Sequence, residues 1–208
     1  MAEDHELLEA WRGGDDRAGR RLVERHFATV ERFFFNKVGD ASADLIQQSF
    51  LRVLEARARV RADANFRAYL LGIARNVLYE HYRRVRKDLE RIDFGSQSVV
   101  DLVATPSSQL AAEQEVRLLL RALKRIPIES QIVLELYYWE DMRAREVAEV
   151  LELPEGTVRS RIRGAKQLLE HQLAALATSQ AQVESTTANL DQWAARIKAM
   201  VGGTPIDG

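Results

Sequence analysis

Two stretches of the chain carry side chains suited to holding a polyanion. In LELPEGTVRSRIRGAK, residues 151–166, Arg159, Arg161, Arg163 and Lys166 follow one another closely. An arginine guanidinium is a planar fork that clamps a phosphate or bonds guanine O6 and N7 through two parallel hydrogen bonds. In NFRAYLLGIARNVLYEHYRRVRK, residues 65–87, arginines are mixed with Phe66, Tyr69, Tyr79 and Tyr82. Aromatic faces stack on exposed bases while arginines hold the backbone, a combination suited to single-stranded or partly opened nucleic acid. Phe66 and Tyr69 fit equally well as core residues; Tyr79 and Tyr82 lie beside the charged face and are the better contact candidates.

No comparable grouping points to catalysis. His5, His26, His81 and His171 are scattered without a repeated metal-ligand spacing. A glycine loop able to cradle phosphate is missing, as is a GxSxG nucleophile turn. With no cysteine, disulfides, thiolate metal sites and thiol nucleophiles are excluded together, which suits a reducing compartment. The expectation is a protein that is not an enzyme and uses no cofactor and no metal.

The element that positions the first cluster is a helix. From Pro154 to about Ala174, Val158, Ile162, Ala165, Leu169 and Leu173 share an arc about 80° wide at 100° per residue. Arg159, Arg163 and Lys166 lie together beside that arc, and Ser160 lies opposite it. The period-2 look of Arg159–Ser160–Arg161–Ile162–Arg163 ends after five residues, whereas the helical register continues, so helix is expected over strand. Upstream, REVAEVLEL forms a short helix burying Val147, Ala148 and Leu151. Two helices joined at Glu152–Leu153, the second basic, make a helix-turn-helix, whose second helix enters the DNA major groove. Gly156 lets the helix start approach a phosphate, and Thr157 offers it a hydroxyl. Arg159 and Arg163 are the expected DNA contacts; Arg161, on the other flank, faces phosphate or the neighbouring helix.

The rest also reads as helix: a short first segment with Leu7, Leu8 and Trp11, ended by Gly13–Gly14, and a second capped by Asp15 or Asp16 and carrying Leu22, Val23, Phe27, Val30, Phe33 and Phe34. A third covers about 43–58, with Leu45, Ile46, Phe50, Leu51 and Leu54 as its apolar face, and a fourth about 66–90. Residues 92–110, broken by Gly95, Pro106 and serines, read as a linker; helices resume at about 111. Beyond about Ala177 a polar stretch precedes a last amphipathic segment with Leu190, Trp193, Ile197, Met200 and Val201. The fold class is all-α: two small helical domains, 1–91 and 111–177, joined by the linker, with a C-terminal extension over 178–208.

The totals allow this. Of 208 residues, 46% are hydrophobic and 29% charged, enough to bury a core. The net charge of −1 conceals segregation: residues 57–87 hold nine basic side chains against Asp63 and Glu80, a balance of +7, while residues 1–24 hold seven acids against four arginines, −3. A concentrated basic block implies a polyanionic partner. No apolar run reaches the roughly 18 residues of a membrane span, and the acidic N-terminus lacks a signal-peptide core; a cytoplasmic location and no membrane insertion are expected.

Taken in order, AWRGGDDRAGRRLVERH, ADLIQQSFLRVLEA, ANFRAYLLGIARNVLYEHYRR and RIPIESQIVLELYYWEDMRAREVAEVLELPEGTVRSRIRGAKQLL resemble an extracytoplasmic-function sigma factor of the sigma-70 family, over about Leu7 to Leu173. The resemblance implies partners, core RNA polymerase and promoter DNA, and a division of labour. The first domain (region 2) binds polymerase clamp helices through Asp44, Leu45, Gln47, Gln48, Phe50, Leu51 and Leu54. It recognises and melts the −10 element through Asn65, Phe66, Arg67, Tyr69, Leu70, Arg75, Asn76, Tyr79, Tyr82 and Arg83. The second (region 4) reads the −35 element through Thr157, Val158, Arg159, Ser160, Arg161, Arg163 and Lys166, and the linker threads toward the polymerase active centre. The alternative is a helix-turn-helix regulator acting without core polymerase, which leaves 43–56 and the basic aromatic segment unassigned.

Three departures from the family pattern stand out. Ser42 and Gln48 occupy positions where carboxylates are usual, leaving Asp44 as the nearby acid. Affinity for a basic clamp surface is then low until charge is added, and Ser42 or Ser49 phosphorylation by a protein kinase would add it. Glu152 stands where the turn commonly holds glycine. The extension beyond the second domain either regulates access to polymerase or DNA, binds a separate partner, or stabilises the fold. An anti-sigma factor is a further candidate partner.

Overall fold

The computed structural model describes residues 2–57, 60, 65–87, 91–102, 114–177 and 195. Among these the regular structure is helical. Helix α1 (Ala2–Arg12) buries Leu7, Leu8 and Trp11. It ends at Gly13–Gly14, where Gly14 takes φ +101°, a left-handed conformation that side chains with a Cβ avoid. Asp15 then caps α2 (Asp16–Phe34), its side chain accepting the Arg17 and Ala18 amides at 2.9 and 3.3 Å. The two helices meet closely at Gly19: a Cβ there would sit 2.4 Å from Trp11 Nε1.

A 3-10 turn at Gly39–Ala41 leads into α3 (Ser42–Ala56), which buries Leu45, Ile46, Ser49 and Val53. The buried stripe is rotated from the one expected: Leu51 and Leu54 are 51% and 43% exposed, and Ser49 and Val53 take the inner positions. Asn65 caps α4 (Phe66–Val85), accepting the Ala68 amide at 3.2 Å. α4 ends at Val85, short of the expected 90.

The segment read as a linker is partly core. Phe94, Val99 and Leu102 are buried, and a short helix α5 (Val99–Leu102) forms. Its backbone docks on the second helical group, with Gln97 O accepting from Ile128 N at 3.0 Å and Phe94 O from Glu129 N at 3.1 Å. Burial of Phe94, Val99 and Leu102 is favourable and accompanies this docking. The remainder, 103–110, lies outside the described residues.

The second group comprises α6 (Gln114–Leu123), α7 (Ile128–Leu134), a π-helical turn at Glu135–Trp139, α8 (Ala144–Leu151) and α9 (Glu155–Leu176). Pro154 sits at the cap of α9 with φ −60°, one position outside the helix it was expected to begin. Val158, Ala165, Leu169 and Leu173 are buried and Ile162 half-buried, as the helical register required. One continuous apolar cluster joins α1–α4 to Ile128, Ile132, Val133 and Leu136 and to α8 through Val147, Val150 and Leu151. A second cluster holds α6 against α9. Helices α4 and α8 pack against each other, so the two groups share a core. The C-terminal amphipathic segment, Leu190, Trp193, Ile197, Met200 and Val201, lies outside the described residues.

Candidate nucleic-acid interface

The helix-turn-helix is built by local rules. The Glu146 carboxylate accepts the Arg143 amide at 2.9 Å and closes the start of α8. α8 ends with Glu152 at φ 55°, ψ 45°, and the Leu153 amide reaches back to Ala148 O at 3.1 Å. That left-handed residue reverses the chain so that α9 departs from α8 with its buried stripe facing inward.

On α9 the outward side chains are Thr157, Arg159, Ser160 and Arg163, all exposed, with Lys166 half-exposed; Val158 is buried and positions them. Arg159 pairs with Glu155 at 2.5 Å while remaining 71% exposed. Exposed pairs of this kind are worth about 0–1 kcal/mol, so a phosphate can displace the carboxylate. Ser160 donates to Gly156 O at 3.2 Å. Arg161 pairs with Glu129 of α7 at 2.7 Å; phosphate and the neighbouring helix were both expected contacts for that flank.

The basic aromatic helix α4 is less available. Phe66 and Tyr82 are core residues and cannot stack on a base: Phe66 sits against His26, and Tyr82 donates to Lys37 O at 2.9 Å. Their positions fall on the inward side of α4, which strongly mixed composition concealed. Tyr79 is half-buried, stacked on Phe94 with ring centres 4.0 Å apart, and burial with the nearby Glu129 carboxylate pushes its hydroxyl up to about 12. Asn76 and Arg83 are exposed, Arg83 lying over the Phe94 ring; Tyr69 is half-buried against the core, and Leu70 is wholly buried.

Three further members of the set face the second helical group. Asn65 Nδ2 donates to Glu146 Oε1 at 3.1 Å, and Arg75 donates to Val150 O at 3.0 Å. Arg67 donates to Glu140 Oε2 and to Glu140 O, both at 2.5 Å. Glu140 also takes two hydrogen bonds from Arg32 at 2.6 and 3.0 Å, and is 4% exposed. Beside it, Lys37 and Glu135 pair in full burial; Lys37 also donates to Phe33 O at 2.5 Å and Gln131 to Glu135 Oε1 at 2.7 Å. Burial pushes the Lys37 ammonium down and the Glu135 carboxyl up, each opposed by the other's charge. Sequence reading missed Arg32, Lys37, Glu135 and Glu140, since Arg32 and Glu140 are 108 positions apart and each looks like an ordinary surface charge.

On α3, Leu51 and Leu54 project outward with Asp44 and Gln47, and Gln48 and Phe50 are half-exposed. Leu45 is wholly buried and so supports this face from beneath rather than forming it. Ser42 is half-exposed at the start of α3. Ser49 is wholly buried with its hydroxyl donating to Leu45 O at 2.7 Å, which removes it from the phosphorylation candidates. Among the described residues no group of His, Asp and Glu could hold a metal ion, and no helix is long and apolar enough to cross a membrane.

Comparison with known proteins gives two family matches in chain order: Sigma-70 region 2 over residues 22–88 and Sigma-70, region 4 over residues 117–169. The ECF RNA polymerase sigma-E factor of Haemophilus influenzae is 27% identical over 190 residues, covering 85% of this chain and 100% of its own. The probable RNA polymerase sigma factor RfaY of Xanthomonas campestris pv. campestris is 28% identical over 173 residues, but this chain spans only 43% of its length. Among solved structures, CnrH in complex with the cytosolic domain of CnrY matches with a TM-score of 0.61 at 25% identity, covering 84% of this chain and 99% of CnrH.

Proposed function

The chain belongs to the extracytoplasmic-function branch of the sigma-70 family, and from that membership we propose how its residues divide the work. It is a sigma factor, binding core RNA polymerase and directing promoter-specific transcription initiation; polymerase supplies the chemistry. Residues 1–91 form region 2, 92–110 the connection, and 111–177 region 4. The −35 element is read by Thr157, Arg159, Ser160, Arg163 and Lys166, with Arg161 released from Glu129 to phosphate or left as a helix tie. The −10 element is read and melted by Asn65, Arg67, Tyr69, Arg75, Asn76, Tyr79 and Arg83. Core polymerase docks on Asp44, Gln47, Gln48, Phe50, Leu51 and Leu54. The protein works in the cytoplasm, where its polymerase and DNA are.

The observation that carries this reading is the outward face of α9: a buried Val158 below, and Thr157, Arg159, Ser160 and Arg163 all presented to solvent from a helix-turn-helix. An exposed leucine pair on α3 supports the second contact, with polymerase, because large apolar side chains left in water mark interaction surfaces. An anti-sigma factor is a proposed further partner, supported by the likeness to CnrH, whose structure contains the cytosolic domain of CnrY. A kinase acting on Ser42 is a separate proposal: a phosphate at the first turn of α3 would lie at the positive end of the helix and restore the missing negative charge. Run-off transcription with core polymerase and a promoter library tests the reading, and tight duplex binding by the protein alone, with no initiation, would favour a plain regulator instead.

A further inference from the structure

Between α7 and α9 runs an open groove of about 580 Å³. Val133 and Ala165 form its floor, Gly164 and Leu168 line its α9 side, and the Glu129–Arg161 pair crosses it. Leu168 is 43% exposed although its neighbour Leu169 is buried. A Cβ built at Gly164 would meet nothing within 4 Å, so another element has room to approach the helix there. At 100° per residue, Arg161, Gly164 and Leu168 lie roughly 160° around α9 from Arg159, Arg163 and Lys166. Whatever covers the groove therefore leaves the basic face open.

The chain itself continues past this surface. α9 ends at Leu176, and the way back from there to Leu168 is about 12 Å at the helical rise. Residues 178–189, TSQAQVESTTAN, are polar and reach up to about 40 Å when extended. Next in the sequence, Asn189 with Gln192 three positions on is a helix-start pattern, and Gly202–Gly203 is a stop. Between these signals Leu190, Trp193, Ile197, Met200 and Val201 share an arc about 100° wide. Ala195 falls opposite that arc; it is the one described residue of this segment, and it is helical and exposed. The sequence thus provides a polar tether of sufficient reach and, at its end, one apolar helix face.

We propose that segment 190–201 folds back and docks this apolar face in the α7–α9 groove of its own chain, bracing α9 from the side away from its arginines. Docking covers Leu168 and takes Trp193 and Ile197 out of water, each a favourable change. The tether makes the encounter intramolecular, with an effective concentration in the millimolar range, so a small apolar contact is enough to hold it. A brace in this position is compatible with DNA on the opposite side of α9.

The test uses the full chain, whose lack of cysteine permits disulfide trapping. Leu168→Cys is combined in turn with Ile197→Cys, with Met200→Cys and, on the opposite side of the segment, with Ala195→Cys. An undocked tether would bring all three to position 168 at similar rates. Docking should close the disulfide from 197 or 200 roughly tenfold faster than from 195, within a monomer, because the bond needs close and facing Cβ atoms. Equal rates, or no disulfide at any position, would overturn the proposal. Disulfide-linked dimers would overturn it too, in favour of a second copy as the occupant. Fluorescence gives an independent reading. Trp11 and Trp139 are each 4% exposed, so acrylamide quenching reports on Trp193. Leu168→Glu, at an exposed helix position that tolerates the change, should raise that quenching roughly threefold by favouring the undocked population. A parent protein already quenched as strongly as the Leu168→Glu variant would show the segment free in solution or reserved for a separate partner, and the proposal would fail.

Discussion

Replacing Glu152 with glycine should make the protein more stable. Glu152 closes α8 at φ 55°, ψ 45°, in the left-handed region, and its side chain is exposed. For a residue with a Cβ this conformation costs roughly 1–2 kcal/mol. Glycine avoids that cost but gives up roughly 0.5–1 kcal/mol through the greater freedom of the unfolded chain. The net gain is about 0.5–1 kcal/mol, since the Leu153 amide to Ala148 O bond is backbone and survives the change. For a chain of this size that corresponds to a rise of about 1–4 °C in the melting midpoint. Thermal unfolding followed by far-ultraviolet circular dichroism reads it, with Glu152→Ala as the control that keeps the Cβ and should show no gain. A midpoint for Glu152→Gly equal to or below that of the parent would refute the argument, because it would mean the strain of the left-handed turn does not exceed the unfolded-chain freedom that glycine adds.

The other predictions are these. Arg159→Ala with Arg163→Ala should weaken promoter binding by roughly tenfold or more, at about 1–3 kcal/mol per specific contact, while leaving core polymerase binding unchanged; equal losses in both assays would point to misfolding. Gly19→Ala should lower the melting midpoint, because its Cβ would fall 2.4 Å from Trp11 Nε1 and force α1 away from α2; a small overpacking change of this kind costs about 1–3 kcal/mol, and an unchanged midpoint would show that Trp11 moves freely. Ser42→Asp with Gln48→Glu should tighten binding to core polymerase, measured by titration, and a parent protein that already binds as tightly would contradict the charge-deficit argument. His26 titrates with difficulty because burial lowers its pKa below the ordinary 6.5 despite Asp4 at 3.1 Å. The folded state therefore binds that proton less readily than the unfolded chain. The stability His26 contributes is complete above about pH 6.5 and is lost as pH falls through the lowered value; denaturant midpoints measured across that range should fall for the parent and less steeply for His26→Asn.

What the sequence made legible was whatever repeats locally. The α9 stripe from Val158 to Leu173 holds one register for several turns, and so the outward placement of Arg159 and Arg163 followed from 100° per residue alone. The departure of Glu152 from glycine was visible for the same reason, as a turn position between two helices. The side of α3 was harder, because Ser49 looks polar; its hydroxyl is satisfied by Leu45 O one turn back, which lets it sit inside and turns Leu51 and Leu54 outward. Phe66 and Tyr82 resemble base-stacking residues in composition, and only the packing of α4 against α2 and α3 separates them from Asn76 and Arg83. Long-range polar pairs left no trace at all. Nothing at Arg32, Lys37, Glu135 or Glu140 announces a partner some hundred positions away, since each is a common residue type on an amphipathic helix or turn.

Reconstituted run-off transcription tests the central account most directly. Core RNA polymerase mixed with this protein should produce discrete transcripts from a subset of a promoter library, and the Arg159→Ala, Arg163→Ala variant should lose them. Initiation that is no more promoter-specific than that of core enzyme alone, with the protein folded and in excess, would contradict it.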